Sequence, residues 1–312
     1  MNEIRHTSAK QRAVDYRNNL FTSSDPKKVI EFYSSFDNRE QLIQWMRERP
    51  KSPGQIHEVD GDKEIIMVIT TADFYGKYAT ECREHIFNGL HMVFVESGGR
   101  DDPYFNIAHN INLGMKKALE YNPKWIVFSS DDMYKIDDVS ILSNELKRLD
   151  EKKIETVFTS ASRYHSVPGF IGRPNVLHAP VTGMVDKENK AVYNLIKKFC
   201  GSVQYWPLSN NFVNKLLYRK VKDVIWVTDF AVFSGYYVKM MNGPIYDEVY
   251  INSEEDADVS VRIALSDRHT FINYRIGDYI GSTLGRGIDR FLRSVAGISY
   301  FSYKIENGLL FL

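Results

Sequence analysis

The chain has 312 residues, 43% of them hydrophobic, which is enough for one large domain, or one domain with an appendage, around a sizeable core. Forty basic and forty acidic residues cancel, which excludes an overall electrostatic attraction to nucleic acid or to anionic membranes. Two cysteines are too few for a disulfide framework or a zinc site, and no apolar stretch has the length of a signal peptide or a membrane span, so we expect a cytoplasmic protein.

Residues 1–62 predict a helical extension followed by a linker. Asp25 and Pro26 are typical of a helix start, with a capping residue followed by a first-turn proline. A second short helix ends before Pro50, and its apolar stripe is formed by Leu42, Ile43, Trp45 and Met46. The segment 51–63 contains proline and glycine and predicts the linker to the main domain, which we place at residues 63–280.

From residue 64 the chain alternates between short apolar runs and amphipathic segments. The runs at 64–70, 90–96, 125–129 and 155–159 predict buried strands, and the segments at 75–88, 106–121 and 137–149 predict helices between them. Strands separated by helices of this length are typical of a parallel sheet with helices on both faces. The first half of the chain is therefore predicted to be an α/β fold of a nucleotide-binding type.

Two adjacent carboxylates, Asp131 and Asp132, follow the apolar run 125–129 directly. Ligands of open α/β sheets bind at the carboxyl ends of the strands, and paired carboxylates there can hold a divalent cation that in turn holds phosphates. The alternative is that one of the two aspartates only caps the turn into the next helix. We favour the ligand interpretation for a doublet after a buried strand.

An acidic run from Glu254 to Asp258 opens another predicted helix. A carboxylate on a first helical turn can project into a cleft and act as a general base. The alternative is that the run is an ordinary helix start. This alternative is strong, because Ser253 with Asp256 three residues later is a capping-box pattern and acidic residues are common in any first turn.

Two weaker signals lie between the second and third predicted strands. The turn after residue 95 contains Glu96, two glycines, Asp101 and Asp102, so that its backbone can approach a ligand and a carboxylate can bind a nucleobase or ribose. A plain Gly-Gly turn explains this segment nearly as well. The helix start at 106–114, NIAHNINLG, carries Gly114, which would let the helix pack closely beside a donor pocket.

The second half of the chain is less regular. Residues 160–185 are rich in proline and glycine, and we place acceptor recognition in the loops of 160–220. In the C-terminal segment 281–312, an apolar helical face is formed by Ile288, Phe291, Leu292, Val295 and Ile298. This helix is interpreted as docked on the core, with a lid over donor phosphates or a peripheral membrane contact as alternatives.

Taken together and in this order, the motifs resemble those of the inverting glycosyltransferases of family 2, which share the GT-A fold. The resembling segments are NIAHNINLGMKKA, WIVFSSDDM and NGPIYDEVYINSEEDADVSVR. The last is the most specific, matching the family pattern at Gly243, Tyr246, Asp247, Glu248, Glu255, Asp256, Asp258 and Arg262. The resemblance covers about residues 64–275 and implies a GT-A nucleotide-diphospho-sugar transferase fold, with a mostly parallel central sheet flanked by helices.

The same resemblance implies roles for individual residues. Asp132, with Asp131 beside it, would contact Mn²⁺ or Mg²⁺ and the diphosphate of a UDP- or GDP-sugar. Asp256 would be the catalytic base, and Glu255 would orient that base or bind the acceptor, which is a glycan, a protein or a lipid-linked molecule. The nucleobase would lie near Thr70, Thr71 and Glu96, with Asp101 or Asp102 as alternatives.

The sequence departs from the family pattern at two places. Ser129 and Ser130 stand before the aspartate doublet, where the family has further acidic residues, and the late segment YRIGDYIGSTLGR lacks the histidine that many members place near the metal. Asp278 would substitute for that histidine, and Arg286 or Arg290 would stabilise the leaving diphosphate.

Two other functions stay open at this point. A non-catalytic nucleotide-sugar or glycan-binding domain would bind a donor and be indifferent to loss of Asp256. A sugar nucleotidyltransferase would require a glycine-rich, basic phosphate loop after the first strand, but the segment TTADFYGKYAT has one glycine and one lysine.

Overall fold

A computed structural model describes residues 9–98, 102–161, 190–200, 229–241, 243–266, 268–279 and 288–309. The helices are α1 (Ala9–Phe21), α2 (Pro26–Ser34), α3 (Arg39–Glu48), α4 (Lys77–Glu81), α5 (Ile107–Leu119), α6 (Val139–Lys147), α7 (Lys190–Phe199), α8 (Gly235–Met240), α9 (Glu255–Ser266) and α10 (Ile288–Glu306). The strands are β1 (Gln55–Val59), β2 (Asp62–Thr71), β3 (Leu90–Glu96), β4 (Trp125–Ser130), β5 (Met133–Lys135), β6 (Thr156–Ala161), β7 (Phe230–Ser234) and β8 (His269–Asp278).

Local sequence signals account for most of these boundaries. Asp25 caps α2 by accepting a hydrogen bond from the backbone nitrogen of Lys27, and Pro26 occupies the first turn, as predicted. Helix α4 is shorter than the predicted helix at 75–88 and continues as a π-helical turn, Cys82–Ile86. The predicted linker 51–63 contains strand β1, whose half-exposed residues lack an apolar run that would indicate a strand.

The described strands form one eight-stranded sheet in the order β1-β3-β2-β4-β7-β6-β8-β5. Strand β2 runs parallel to β3 and β4, and β6 runs parallel to β8. The other pairings, β1 with β3, β4 with β7, β6 with β7 and β5 with β8, are antiparallel. The prediction of an α/β fold is confirmed, but the prediction of a mostly parallel sheet is wrong, because β7 enters between β4 and β6 in the opposite direction.

Apolar side chains cover both faces of this sheet. One face packs on α4 and α6 through residues such as Met67, Val127 and Leu142, and the other packs on α5 and α9 through residues such as Val68, Ile111 and Ile263. Helix α5 lies very close to the sheet because Gly114 faces β2 and β3, where an added Cβ would collide with the Val68 side chain.

The remaining helices form a second core beside the sheet. Helices α1, α2, α3, α7 and α10 bury aromatic and aliphatic residues against one another and against Tyr250 and Ile251. The Tyr33 hydroxyl donates a 2.7 Å hydrogen bond to the carbonyl oxygen of Leu292, which joins α2 to α10 inside this core. Helix α10 is therefore docked on the protein, and among the described residues no helix is long and apolar enough to cross a membrane.

Candidate active site

Strand directions bring four aspartates from distant parts of the chain to one edge of the sheet. Asp131 and Asp132 follow β4, and Asp229 directly precedes the antiparallel strand β7, so that its carbonyl oxygen accepts a 2.9 Å hydrogen bond from the Ser130 nitrogen. Asp278 ends β8 and pairs with Met133 of β5. The Tyr279 nitrogen donates to the carbonyl oxygen of Asp132 at 2.8 Å.

Asp131 is buried, with 7% of its surface exposed, and its carboxylate is held in place. The Thr71 hydroxyl at the end of β2 donates to Asp131 Oδ2 at 2.6 Å, and the Cys82 thiol donates to the Asp131 carbonyl oxygen at 3.3 Å. Burial raises the pKa of Asp131 to about 6, opposed by the Thr71 hydrogen bond and reinforced by the charge of Asp132. Thr71 and Asp131 thus form a fixed pair at the base of the edge.

Asp229 is exposed at this edge. Loss of hydration, followed by the negative charges of Asp132, Asp278 and Asp256, raises its pKa to about 7. These four carboxylates therefore share one electrostatic environment. Arg290 of α10 lowers the pKa of Asp229 and is the nearby cation that partly balances the group.

The acidic start of α9 acts electrostatically on the same edge, because the charge of Asp256 raises the pKa of Asp229. Glu254 has a positive φ of 70°, a strained conformation for a residue with a side chain, and its carboxylate receives a 3.4 Å hydrogen bond from the Ser253 hydroxyl. Burial and the charge of Asp256 raise the pKa of Glu255, while Arg290 lowers it. Within the described part of the chain, Glu255 Oε2 is buried without a hydrogen-bond partner, which is the kind of atom that a ligand satisfies.

Helix α5 holds the segment that leads into α9. The Asn106 side chain caps α5 through the His109 nitrogen and donates to the carbonyl oxygens of Glu248 and Tyr250 at 3.0 and 2.8 Å. His109 Nδ1 lies 2.9 Å from a carboxylate oxygen of Glu248, and Asn112 donates to the Tyr246 carbonyl oxygen at 2.7 Å. The sequence motifs NIAHNINLG and YDEVY therefore form one hydrogen-bonded clamp.

Helix α10 holds the same segment from the other side. Lys304 binds Asp247 at 3.0 Å and also pairs with the fully buried Asp258 of α9. Asp258 in addition binds Arg262 Nε at 2.9 Å. Gly297 of α10 lies against the Ser253 backbone, where an added Cβ would collide with the Ser253 carbonyl oxygen. The strained turn before α9 is thus fixed by contacts on both sides.

The predicted nucleobase residues lie at the ends of β2 and β3. Thr70 and Thr71 are buried, and Glu96 Oε2 contacts His57 Nε2 at 2.9 Å and accepts from the Phe74 nitrogen at 3.3 Å. The His57 and Phe74 rings stack with centroids 4.2 Å apart. Sequence reasoning missed His57 because it belongs to the edge strand β1, which was assigned to a linker.

Several predictions cannot be located in the structure. Asp101 and Arg286 lie outside the described residues, as do most of the loops in which we expected acceptor recognition. Asp102 is described, but it lines a pocket among the end of α1, helix α10 and the turn before α9. Asp229 was missed, although an aspartate beside the apolar run FAVFS was a usable signal once the strand was known to run antiparallel to β4.

Carboxylate oxygens are the ligands that Mn²⁺ and Mg²⁺ prefer, so the chemistry of the edge suits a hard divalent cation. In the described part of the chain, however, no group of three or more histidine, cysteine, aspartate or glutamate side chains is arranged to hold a metal ion.

Comparison with models of known protein families and with curated proteins finds no match for this chain. Function is therefore inferred from the residues of the site.

Proposed function

We propose that the protein is an inverting glycosyltransferase of GT-A type, which moves a sugar from a UDP- or GDP-sugar to an acceptor hydroxyl. The observation that carries this proposal is the meeting of strand-end aspartates with the acidic start of α9, where the charge of Asp256 reaches Asp229. A donor diphosphate bound at the strand ends would place its sugar between Asp132 and Asp256. That arrangement matches a single displacement between a leaving group and a base on opposite sides of the sugar.

In the proposed reaction, Asp256 accepts the proton of the acceptor hydroxyl while the hydroxyl oxygen bonds to the anomeric carbon. The bond from that carbon to the diphosphate oxygen breaks, and the configuration at the carbon inverts. Glu255 orients the acceptor or the base. Arg290 supplies positive charge for the leaving diphosphate, as its effect on Asp229 and Glu255 suggests.

A Mn²⁺ or Mg²⁺ ion remains part of the proposal, held by Asp132 with Asp131 beside it and by the donor, where it would offset charge on the diphosphate. Asp131 is the weaker candidate ligand, because its Oδ2 already accepts the Thr71 hydrogen bond. The nucleobase would lie beside Thr70, Thr71 and Glu96, against the stacked His57 and Phe74 rings.

The test is binding and hydrolysis of UDP- and GDP-sugars in Mn²⁺, Mg²⁺ or EDTA by the intact chain and by two variants. Asp256→Asn should bind the donor normally and lower turnover by about 10²–10⁴-fold, since it removes the general base. Asp132→Asn should weaken donor binding in the presence of metal and leave the weak binding in EDTA unchanged.

The matched control is Asp60→Asn, which changes a carboxylate that is 84% exposed at the turn between β1 and β2. It should leave both binding and turnover unchanged. If no nucleotide-sugar binds, or if turnover survives loss of Asp256, the proposed function is wrong.

One observation favours a second candidate, a domain that binds a nucleotide-sugar without turning it over. Ser129 and Ser130 precede the aspartate doublet where the family pattern has further acidic residues, so fewer carboxylates are available for an ion on which turnover would depend. Donor binding that is equal in the intact chain and in Asp256→Asn, with no hydrolysis by either, would identify this candidate.

A further inference from the structure

A pocket lies among the end of α1, helix α10 and the turn before α9. The space between its walls is about 620 Å³, a figure that includes open solvent at the mouth. The turn before α9 forms one wall, and the end of α1 forms another. Its lining residues are Phe21, Thr22, Arg49, Asp102, Phe105, Ile251, Asn252, Ser253, Arg290, Arg293, Ala296 and Gly297.

The arginines of the pocket are engaged by the protein itself. Arg49 is buried and donates to Asn18 Oδ1 and to the carbonyl oxygens of Phe105 and Pro103, at 2.7, 3.1 and 2.8 Å. Burial lowers the pKa of Arg49 to about 10, and the charge of Asp102 opposes that change.

Arg293 binds Asp289 at 2.8 Å, and Arg290 interacts with the acidic residues of the active site. Arg293 thus has a carboxylate partner, whereas Arg49 is held by neutral oxygens of the protein. A neutral ligand leaves these interactions in place, whereas an anionic ligand would compete for the arginines.

One polar atom of the pocket has no partner among the described residues. Asp102 Oδ1 accepts from the Tyr104 nitrogen at 2.9 Å, but Asp102 Oδ2 is buried without a hydrogen bond. A carboxylate oxygen can only accept, so its natural partner is a hydroxyl or amine of a ligand. The lining also includes Phe21, Phe105 and Ile251, apolar residues that suit the apolar face of a ring.

Two residues that line the pocket also interact with the acidic residues of the candidate site. Arg290 lines the pocket and also acts electrostatically on Asp229 and Glu255. Ser253 lines the pocket and donates to the Glu254 carboxylate at the start of α9. A molecule in the pocket thus lies beside the residues that would activate an acceptor.

We propose that this pocket binds a neutral pyranose ring of the acceptor, with Asp102 Oδ2 accepting a hydrogen bond from a ring hydroxyl and Phe21 and Phe105 covering the ring. The assignment of the ring to the acceptor rests on the proposed glycosyltransferase function. It gives the N-terminal helices a role in substrate recognition, because α1 and the end of α3 supply Phe21 and Arg49.

The test is saturation-transfer NMR on the full chain without donor, using the methyl pyranosides of glucose, galactose, mannose and N-acetylglucosamine. At least one should bind, and Asp102→Asn should weaken its affinity about tenfold or more, since a hydrogen bond to a charged acceptor is lost. Asp102→Asn keeps the oxygen that accepts from Tyr104. Thr22→Tyr, which adds a bulky side chain to the lining, should also abolish binding, whereas Asp60→Asn should not change it.

The proposal is overturned if no pyranoside binds, if Asp102→Asn binds as well as the intact chain, or if methyl glucuronide binds more tightly than methyl glucoside. Donor binding measured on the same samples distinguishes failure of the pocket proposal from failure of the proposed glycosyltransferase function. Donor binding without pyranoside binding rejects the pocket and leaves the proposed function standing. Pyranoside binding without donor binding rejects the proposed function and leaves a sugar-binding pocket.

Discussion

Asp131 and Asp132 are neighbours in the chain but have different surroundings. Asp131 is buried and receives the Thr71 hydrogen bond, whereas Asp132 is half-buried and raises the pKa of Asp229 across the sheet edge. Asp131 therefore fixes the end of β4 to the end of β2. Asp132 is the residue of the pair that can contact a ligand.

We expect Asp229→Asn to stabilise the protein and to weaken its activity. The pKa of Asp229 is raised to about 7, so the folded protein holds a proton that the unfolded chain loses near its ordinary pKa. The contribution of Asp229 to the free energy of unfolding is therefore fully present at low pH and is lost as pH rises toward and through 7. Removing the charge should raise Tm at pH 8 by about 1–4 °C and change Tm little at pH 4.

The measurement is thermal unfolding of both proteins in EDTA at pH 4, 6 and 8, followed by circular dichroism. Asp60→Asn serves as the control for loss of an exposed carboxylate, and it should show no gain that grows with pH. An Asp229→Asn protein whose Tm gain is the same at pH 4 and pH 8 would contradict the assignment of a raised pKa.

Some residues of the candidate site could be predicted from the sequence. Asp131, Asp132, Glu255 and Asp256 stand next to recognisable element boundaries, so their position could be predicted from the pattern. Asp229 could not be placed, because a short apolar run does not reveal whether its strand is parallel or antiparallel. The strained backbone of Glu254 also leaves no sequence signal, since glutamate is not a residue that favours positive φ.

At the scale of elements, the hydrogen bonds of Asn106 decide how α5 positions the acidic start of α9. Its side chain makes one bond to cap α5 and two to the carbonyl oxygens of the 246–250 segment. An N-cap that serves two elements should contribute more to stability than one that serves a single helix. Asn38, which caps α3 through Gln41 and is exposed, provides the comparison.

We expect Asn106→Ala to lower the free energy of unfolding by about 2–4 kcal/mol, because the cap is lost and two buried carbonyl oxygens are left unpaired. Asn38→Ala should cost only about 0.5–2 kcal/mol. Urea unfolding of both variants measures the difference. Equal costs would show that the clamp contributes nothing beyond the cap.

The contact of α10 with the turn before α9 gives a second prediction. Gly297→Ala forces Ser253 to move, and with it the strained Glu254 and the start of α9. Turnover should fall by about tenfold or more, a loss that small displacements of catalytic groups readily cause. Donor binding at the strand ends should change less.

Gly243→Ala is the matched control, because the nearest atom to its added Cβ is 3.7 Å away. It should keep full activity. Steady-state hydrolysis of the donor and donor titration measure the two effects. Normal turnover in Gly297→Ala would mean that the position of the turn does not matter for the reaction.

Apolar runs in the sequence predicted the central strands of the sheet well and its edge strands poorly. Strands β2, β3 and β4 are buried over most of their length, so each appears as an apolar run of the right size. Strand β1 is partly exposed and β5 spans only Met133–Lys135, so neither carries enough apolar residues to be recognised. The position of β7 depends on pairing between distant segments, which local patterns do not encode.

At the scale of the whole molecule, the two ends of the described chain share one core. Phe32 of α2 contacts the rings of Phe21 and Trp45, and the same cluster includes Val295 of α10. This core joins the sheet through Tyr250 and Ile251, which precede α9. The N-terminal helices are therefore part of the structure that holds the candidate site.

We expect the helical core and the sheet to unfold together. Phe32→Ala should destabilise the protein by about 3–5 kcal/mol, since it empties a fully buried site. Because burial protects the thiol of Cys200 in the helical core and that of Cys82 at the sheet, each thiol reports opening of its own region. Both should react with iodoacetamide faster in the variant, by the same factor.

Peptide mass spectrometry after timed labelling in mild urea measures the two rates. The exposed ring of Phe271 supplies a control, and Phe271→Ala should change neither rate much. Faster labelling of Cys200 with unchanged labelling of Cys82 would show that the helical core opens independently.

The antiparallel position of β7 has a consequence for how the protein reaches its active form. Residues 131, 229, 256 and 278 must meet, although nearly half of the chain separates the first from the last. Contacts between residues far apart in the chain form slowly, because the entropy of closing a long loop is lost before the contact contributes any stabilisation. During refolding, helical circular dichroism should therefore recover well before donor binding does, and a nascent chain would have no site until β8 leaves the ribosome.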